Sequence, residues 1–319
     1  MLIDLHALLP LVIAFAVSAI LGPLAIPLLR RVKAGQVVRE NGPQSHLGKT
    51  GTPTMGGLFF LVSIVATSLF YVRDYPQTIP VLLVMLGFGV IGFVDDYLKV
   101  VKKRSLGLRA WQKALGQLAV TVAFVIYLTV FTDTSLAMRI PFAGGYLDAG
   151  WFNVVIFLFI VIGTANGANF TDGLDGLLGS VTVLIAGFFA IASVGLMAGI
   201  TPVACAVAGA LLGFLLYNFH PASVFMGDTG SLALGGFVAA SAYMMGLPLF
   251  IPIVALIYAV EVLSVIIQVA YYKKTGKRVF KMAPIHHHFE LSGWKETKVV
   301  AVFAAITAVL CVVGLLGIR

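Results

Sequence analysis

Residues 152–198 read FNVVIFLFIVIGTANGANFTDGLDGLLGSVTVLIAGFFAIASVGLMA. Two apolar runs, 152–168 and 176–198, flank a polar centre with one asparagine, two aspartates and no lysine or arginine, and a second asparagine, Asn166, stands one turn before it. At about 1.5 Å per residue each run is long enough to cross a hydrocarbon core as a helix. The apolar residues are continuous rather than alternating, which excludes membrane strands, because a barrel needs polar lumen positions. The stretch therefore predicts two helices in a bilayer, joined by a turn that carries carboxylates at one membrane surface.

Working outward, similar runs fall at 7–29, 55–72, 79–95, 112–131, 202–218, 231–246, 249–272 and 298–317. The expectation is an all-α integral membrane protein, a bundle of about ten transmembrane helices. Hydrophobic residues make up 60% of the 319 and charged residues 11%, with a mean hydropathy of +1.03, so a soluble globular domain is excluded. The first run lacks a basic leader and a small-residue cleavage site, and it is read as a retained span rather than a signal peptide.

All but three of the 21 basic residues fall in three odd-to-even connections, after the first, third and ninth spans. The exceptions are Arg73, Arg139 and Arg319. By the positive-inside rule the basic side is cytoplasmic and both termini lie outside. The net charge of +8 then reports topology and contact with anionic headgroups, not nucleic acid. Cys205 and Cys311 fall inside spans and read as buried small hydrophobes, not a disulfide. In the external connection 132–151, Gly144-Gly145 between short apolar runs predicts a small hairpin.

This topology gathers five aspartates on the basic side: Asp95, Asp96, Asp172, Asp175 and Asp228. Carboxylates near a bilayer are expensive and tend to be functional, and five on one side suggest a shared metal and phosphate site. Asp95 and Asp96 end the third span, and Lys99 shares their face if the helix persists; a solvated helix end with a local ion pair explains this segment equally well. Asn166, Asn169, Asp172 and Asp175 follow a three-residue rhythm, and each aspartate precedes a glycine, which permits a sharp turn or close approach. Capping explains either aspartate singly but not the run.

Asn218, Phe225 and Asp228 belong to a short loop without lysine or arginine, where carboxylate, hydroxyls and glycines suit Mg²⁺. Taken alone, Asp228 reads as a cap of the following helix through amides near Ser231. His286, His287 and His288 lie in the last cytoplasmic loop beside Arg278 and Lys281, a setting that suits diphosphate contact. Zinc is disfavoured, because consecutive side chains diverge and no cysteine is near. Glu261, inside the ninth span, shares a face with Gln268 and reads equally as packing or substrate contact.

The segments GTPTMGG (51–57), VDDYLK (94–99), NGANFTDGLDGL (166–177), FMGDTGSL (225–232) and APIHHHFE (283–290) resemble the phospho-N-acetylmuramoyl-pentapeptide transferases. They occur in that family's order and over most of the chain. The acidic segments are shared with the wider polyprenyl-phosphate sugar-phosphate transferases, and the triple histidine points to the muramoyl-pentapeptide member. The resemblance implies one transmembrane catalytic domain over residues 1–319 of a bacterial inner membrane, with its site facing the cytoplasm. It implies transfer from UDP-N-acetylmuramoyl-pentapeptide to undecaprenyl phosphate, giving lipid I and UMP with Mg²⁺ as cofactor, and a homodimer.

At matching positions, the resemblance makes Asp228 the principal metal ligand with Asp175 beside it. Asp95 becomes the activator of the lipid phosphate. Asp96, Lys99 and His286 to His288 join the catalytic group. Asn166, Asn169, Asp172 and Asp175 line the substrate site, with Lys49 and Thr54 as further contacts. Asn218 and Phe225 would meet the uridine, Phe225 by stacking on the base. The nearest alternative is a transferase of N-acetylglucosamine-1-phosphate to the same lipid. A non-enzymatic transporter is disfavoured, because it predicts ionisable groups at the midplane, where Glu261 is the main one.

Overall fold

The computed structural model describes residues 5–31, 49, 51–100, 102, 107–132 and 134–318, with residues 5–7 described by backbone alone. Of the loop cations, Lys33, Arg39, Lys103, Arg104 and Arg319 lie outside the described residues. The described residues are mostly helical. Its elements are α1 (Leu5–Arg31), α2 (Gly57–Leu69), α3 (Thr78–Val100), α4 (Ala110–Phe131), β1 (Met138–Arg139), β2 (Tyr146–Leu147), α5 (Phe152–Thr171), α6 (Leu177–Leu196), α7 (Thr201–Asn218), α8 (Gly227–Met244), α9 (Ile251–Val254), α10 (Leu256–Thr275), α11 (Ile285–Glu290) and α12 (Glu296–Leu316).

Every apolar run corresponds to helix, but not every helix is an ordinary span. Among the described residues, eight helices are long and apolar enough to cross a membrane. Helix α2, at 13 residues, is too short. Helix α8 has the length, but its composition, GDTGSLALGGFVAASAYM, is dominated by small residues. The reason lies in packing: α8 is the central post of the bundle, buried from Thr229 to Tyr243 and packed on α3, α5, α2 and α6. Small side chains let neighbouring backbones approach closely where lipid offers no hydrophobic drive between helices.

The expected ninth helix, 249–272, is instead a 3-10 turn (Pro248–Phe250), then α9 and α10, bent at Ala255 (φ −112°, ψ 36°). Ala255 N–H donates to Ile251 O and Ala259 N–H to Ala255 O, so Ala255 links the last turn of α9 to the first turn of α10 across the bend. The predicted hairpin is present: β1 and β2 pair antiparallel with Met138 opposite Leu147 and Arg139 opposite Tyr146. Its Arg139 N–H donates to Gly246 O, tying the hairpin to the end of α8.

The C-terminal ends of α3 and α5 and the N-terminal ends of α4 and α8 meet at one end of the bundle, shown by the side-chain bonds among Lys99, Lys113, Asn169 and Asp228. The turn between α5 and α6, the end of α7 and the start of α12 join them through Asp175, Asn218 and Glu296.

Candidate active site

Two groups of side chains form at this end of the bundle. The first centres on Asp228, in the first turn of α8. One carboxylate oxygen, Oδ2, accepts from Lys99 Nζ at 3.1 Å and Lys113 Nζ at 3.0 Å, and Oδ1 accepts from Asn169 Nδ2 at 2.8 Å. Asn169 also donates to Ser231 Oγ at 2.8 Å and accepts from Lys113 at 3.3 Å, so α4, α5 and α8 are fastened around one carboxylate. Asp228 is therefore not the cap of its own helix.

That cap is Asp96. Its Oδ1 accepts from Asp228 N–H at 3.1 Å, and its Oδ2 accepts from Thr229 N–H at 2.9 Å and Thr229 Oγ1 at 2.6 Å. A buried carboxylate on the orphan amides of a helix start satisfies those donors and complements the helix dipole. Asp96 thus orients Asp228 from α3 and has little capacity left for substrate. Asp95, the neighbouring residue, pairs with Lys99 one helical turn on, and its Oδ1 accepts from Leu108 N–H at 2.7 Å. Lys99 bridges Asp95 and Asp228. One oxygen from each of Asp95, Asp96 and Asp228 lies within 4.8 Å of the others, a donor set that could hold a metal ion.

The second group forms around Asp175. Its Oδ1 accepts from Lys49 Nζ at 2.8 Å, and its Oδ2 faces His220 Nδ1 at 3.2 Å and accepts from Ala222 N–H at 3.0 Å. Glu296, at the start of α12, accepts from the same Lys49 at 2.6 Å and from Asp175 N–H at 2.5 Å. Asp228 and Asp175, expected to share a metal, therefore stand in different groups: the oxygens of Asp175 are taken up by Lys49, His220 and a backbone amide. Asp172 lies on the turn between α5 and α6. Burial, and then the negative charges of Asp228, Asp96 and Asp175, push its carboxyl well above the ordinary aspartate value.

Several expected substrate contacts turn out to organise the protein itself. Asn166 donates from Nδ2 to Gln117 Oε1 at 2.8 Å and accepts from Gln117 Nε2 at 3.3 Å, an amide pair that joins α4 and α5. Asn218 accepts from Gly176 N–H at 3.1 Å and donates to Val224 O at 2.9 Å, so it braces the loop before α8 instead of facing outward. Phe225 is held through its backbone, with its N–H donating to Pro53 O and its carbonyl accepting from Gly56 N–H; its ring is half-buried. Thr54, also buried, borders Gly227 beside Asp96.

The three histidines diverge, as consecutive residues must. His286 is fully buried and points to Glu261, His287 Nδ1 meets Glu290 Oε2 at 2.7 Å, and His288 Nδ1 accepts from Lys281 N–H at 3.1 Å. Sequence reasoning did not single out Lys113, His220 or Glu296 as site residues. Lys113 sits four residues inside α4 and looks like a topology cation, and Glu296 reads as an ordinary acidic first turn. For His220, adjacency to Asn218 was the available signal.

Paired cations beside carboxylates at helix ends suit contact with phosphate groups. The chain matches the Glycosyl transferase family 4 model over residues 78–246, from α3 to just past α8, and it is a phosphoglycosyl transferase. A shorter match, at residues 49–61, is to Phospho-N-acetylmuramoyl-pentapeptide-transferase signature 1. Proteins named phospho-N-acetylmuramoyl-pentapeptide-transferase align over nearly the whole length. The Acetivibrio thermocellus protein is 51% identical, covering 97% of this chain and 94% of its own. One from Clostridium botulinum is 50% identical (97% and 95%), and that of Heliobacterium modesticaldum is 48% identical (96% and 95%). The chain belongs to the phospho-N-acetylmuramoyl-pentapeptide-transferase family.

Proposed function

We propose that the protein transfers phospho-N-acetylmuramoyl-pentapeptide from its UDP donor to undecaprenyl phosphate, forming lipid I and UMP in peptidoglycan synthesis. The observation that carries this reading is the convergence of Lys99, Lys113 and Asn169 on Asp228, with Asp95 alongside, at one end of a membrane helix bundle. A polyprenyl phosphate is confined to lipid while a UDP-sugar is soluble, and helix ends are where both phosphates can meet. Arg30 and Arg31 at the end of α1, and Lys273 and Lys274 at the end of α10, support a cytoplasmic placement of this end in a bacterial inner membrane.

The carboxylate oxygens of Asp95 and Asp228 fit Mg²⁺, a hard cation that takes oxygen ligands and keeps waters and substrate phosphates. Asp228 and Asp95 would hold it, since Asp96 is committed to the start of α8. When bound, Mg²⁺ supplies charge neutralisation of the diphosphate and of the leaving UMP.

The residues themselves account for the rest. A phosphate monoester has a second pKa of about 6, so the lipid acceptor is largely a dianion near neutral pH. Its oxygen forms a bond to the sugar-proximal phosphorus while the bond from that phosphorus to the UMP oxygen breaks. Asp95 takes the residual proton of the acceptor fraction that is still protonated. Lys99 and Lys113 hold phosphate oxygens in line, Asn169 orients Asp228, and Asn218 braces the loop that presents Phe225 to the base. No covalent enzyme intermediate is needed.

The test is Mg²⁺-dependent UMP release by the purified protein with undecaprenyl phosphate, using UDP-N-acetylmuramoyl-pentapeptide or UDP-N-acetylglucosamine as donor. Turnover only with the pentapeptide donor supports the reading, and turnover only with the simple sugar overturns the donor assignment. UMP exchange without lipid acceptor would overturn direct attack.

A further inference from the structure

Glu261 and His286 form a buried pair outside the acidic groups described above. Glu261, in α10, and His286, at the start of α11, are both 0% exposed, and His286 Nδ1 lies 3.1 Å from Glu261 Oε1. Neither carboxylate oxygen and neither ring nitrogen has an aligned hydrogen-bond partner among the described residues. Two ionisable groups buried this way cost free energy that packed apolar side chains would not, and removing one partner leaves the other uncompensated. Such a pair can hold in place what it touches. The imidazole's other nitrogen shows what that is: a methyl group added at Gly173 would stand 2.1 Å from His286 Nε2. Gly173 lies between Asp172 and Asp175 on the turn joining α5 and α6. Its lack of a side chain is what lets the ring sit directly beneath that turn.

We infer that Glu261 is a positioning residue: through His286 it sets the backbone of the Asp172–Asp175 turn, and so the placement of the acidic groups in the active site. His286 then acts from below the site and does not touch phosphate, while Glu261 reaches the site without being part of it. The column runs α10, α11, turn, and each member is separated in sequence from the next.

This inference rests on the transferase reading for its kinetic part and is therefore tested with two readouts, turnover and thermal midpoint, in the full-length protein in detergent. Glu261→Ala frees the imidazole and is expected to lower kcat by on the order of 10- to 100-fold, the scale of a misplacement near 1 Å, with KM for the UDP donor changed less than about threefold. Glu261→Gln keeps the side-chain volume and an oxygen facing His286 Nδ1, and is expected to restore kcat to within about threefold of the unsubstituted protein. Gly173→Ala drives the ring from its seat and is expected to lower kcat similarly.

The decisive measurement is the double substitution. Glu261 and Gly173 are joined through His286, so with Glu261 removed the ring can yield and Gly173→Ala should cost at least about fivefold less than it does alone. The same sub-additivity should appear in the thermal midpoints, which do not depend on turnover. Additive effects in both readouts, or a Glu261→Gln variant as impaired as Glu261→Ala, overturn the inference. A protein without pentapeptide turnover whose midpoints are still coupled sinks the functional reading and leaves the positioning column standing.

Discussion

Gly92→Ala on α3 tests how closely the site depends on one helix contact. A Cβ at Gly92 would lie 2.0 Å from Asp228 O, 2.3 Å from Asp228 C and 2.6 Å from Thr229 N, all backbone atoms of α8 that cannot rotate aside. Ordinary contact begins near 3.4 Å, so α3 and α8 must part by roughly 1.4 Å at this level. That separation falls directly on Asp228 and on the Asp96 bonds that orient it. A displacement of about 1 Å in a positioned group costs about 100-fold in rate. The overpacking itself should cost about 1–3 kcal/mol of stability, of which helix propensity returns about 0.5–1 kcal/mol.

The control lies one turn away. A Cβ at Gly89 finds Ala233 Cβ at 3.4 Å and nothing closer, so Gly89→Ala should leave kcat within about twofold. The assay is kcat for UMP release by purified variants, with elution profile and thermal midpoint as folding controls. Gly92→Ala turnover within threefold of the unsubstituted protein, or equal losses at Gly89 and Gly92, would refute the argument that α3–α8 contact sets Asp228.

Other consequences follow from the same geometry. Asp96→Asn leaves one acceptor oxygen for three donors, and losing one charge-assisted bond of about 1.5–3 kcal/mol should lower the midpoint and kcat together while leaving donor KM nearly unchanged; a selective rise in KM would instead mean that Asp96 touches substrate. Asn166→Leu or Gln117→Leu alone should cost about 1–2 kcal/mol in detergent, with the double replacement recovering part of it, as a coupled pair requires; strictly additive midpoints would refute the pairing. Asp172, with its carboxyl raised, favours the protonated form when folded. Its contribution to stability is complete below the ordinary aspartate value of 3.8 and is lost as pH rises through the higher folded value, so Asp172→Asn should stabilise the protein progressively from mildly acid to neutral pH. Parallel midpoint curves for the two proteins over pH 4–8 would refute this.

Much of the fold was legible because membrane helices declare themselves: a continuous apolar run has few other ways to satisfy its backbone. The runs at 152–168 and 176–198 lie within or closely over α5 and α6. Departures came where packing overrode composition. Helix α8 is poor in large hydrophobes because protein surrounds it, and the ninth run bends at Ala255, for which apolarity gives no signal. The site was legible as a list but not as an arrangement. Asp95 with Lys99 could be foreseen, since i and i+4 share a helical face. The role of Asp96 as the cap of another helix could not, because Thr229 lies 133 residues away.

Sequence alone thus determined the helical membrane class, the helix positions to within a few residues, the clustering of carboxylates at helix ends and the family motifs. These depend on local composition and periodicity, which are read along one dimension. Tertiary structure decided which carboxylates share a group, that Asp175 stands with Lys49 and Glu296 apart from Asp228, that Asn166 and Asn218 brace the protein, and that Glu261 meets His286. Apart from Asn218 with Val224, those pairings join residues between 25 and 126 positions apart, and only helix packing brings their atoms within hydrogen-bonding or ion-pairing distance.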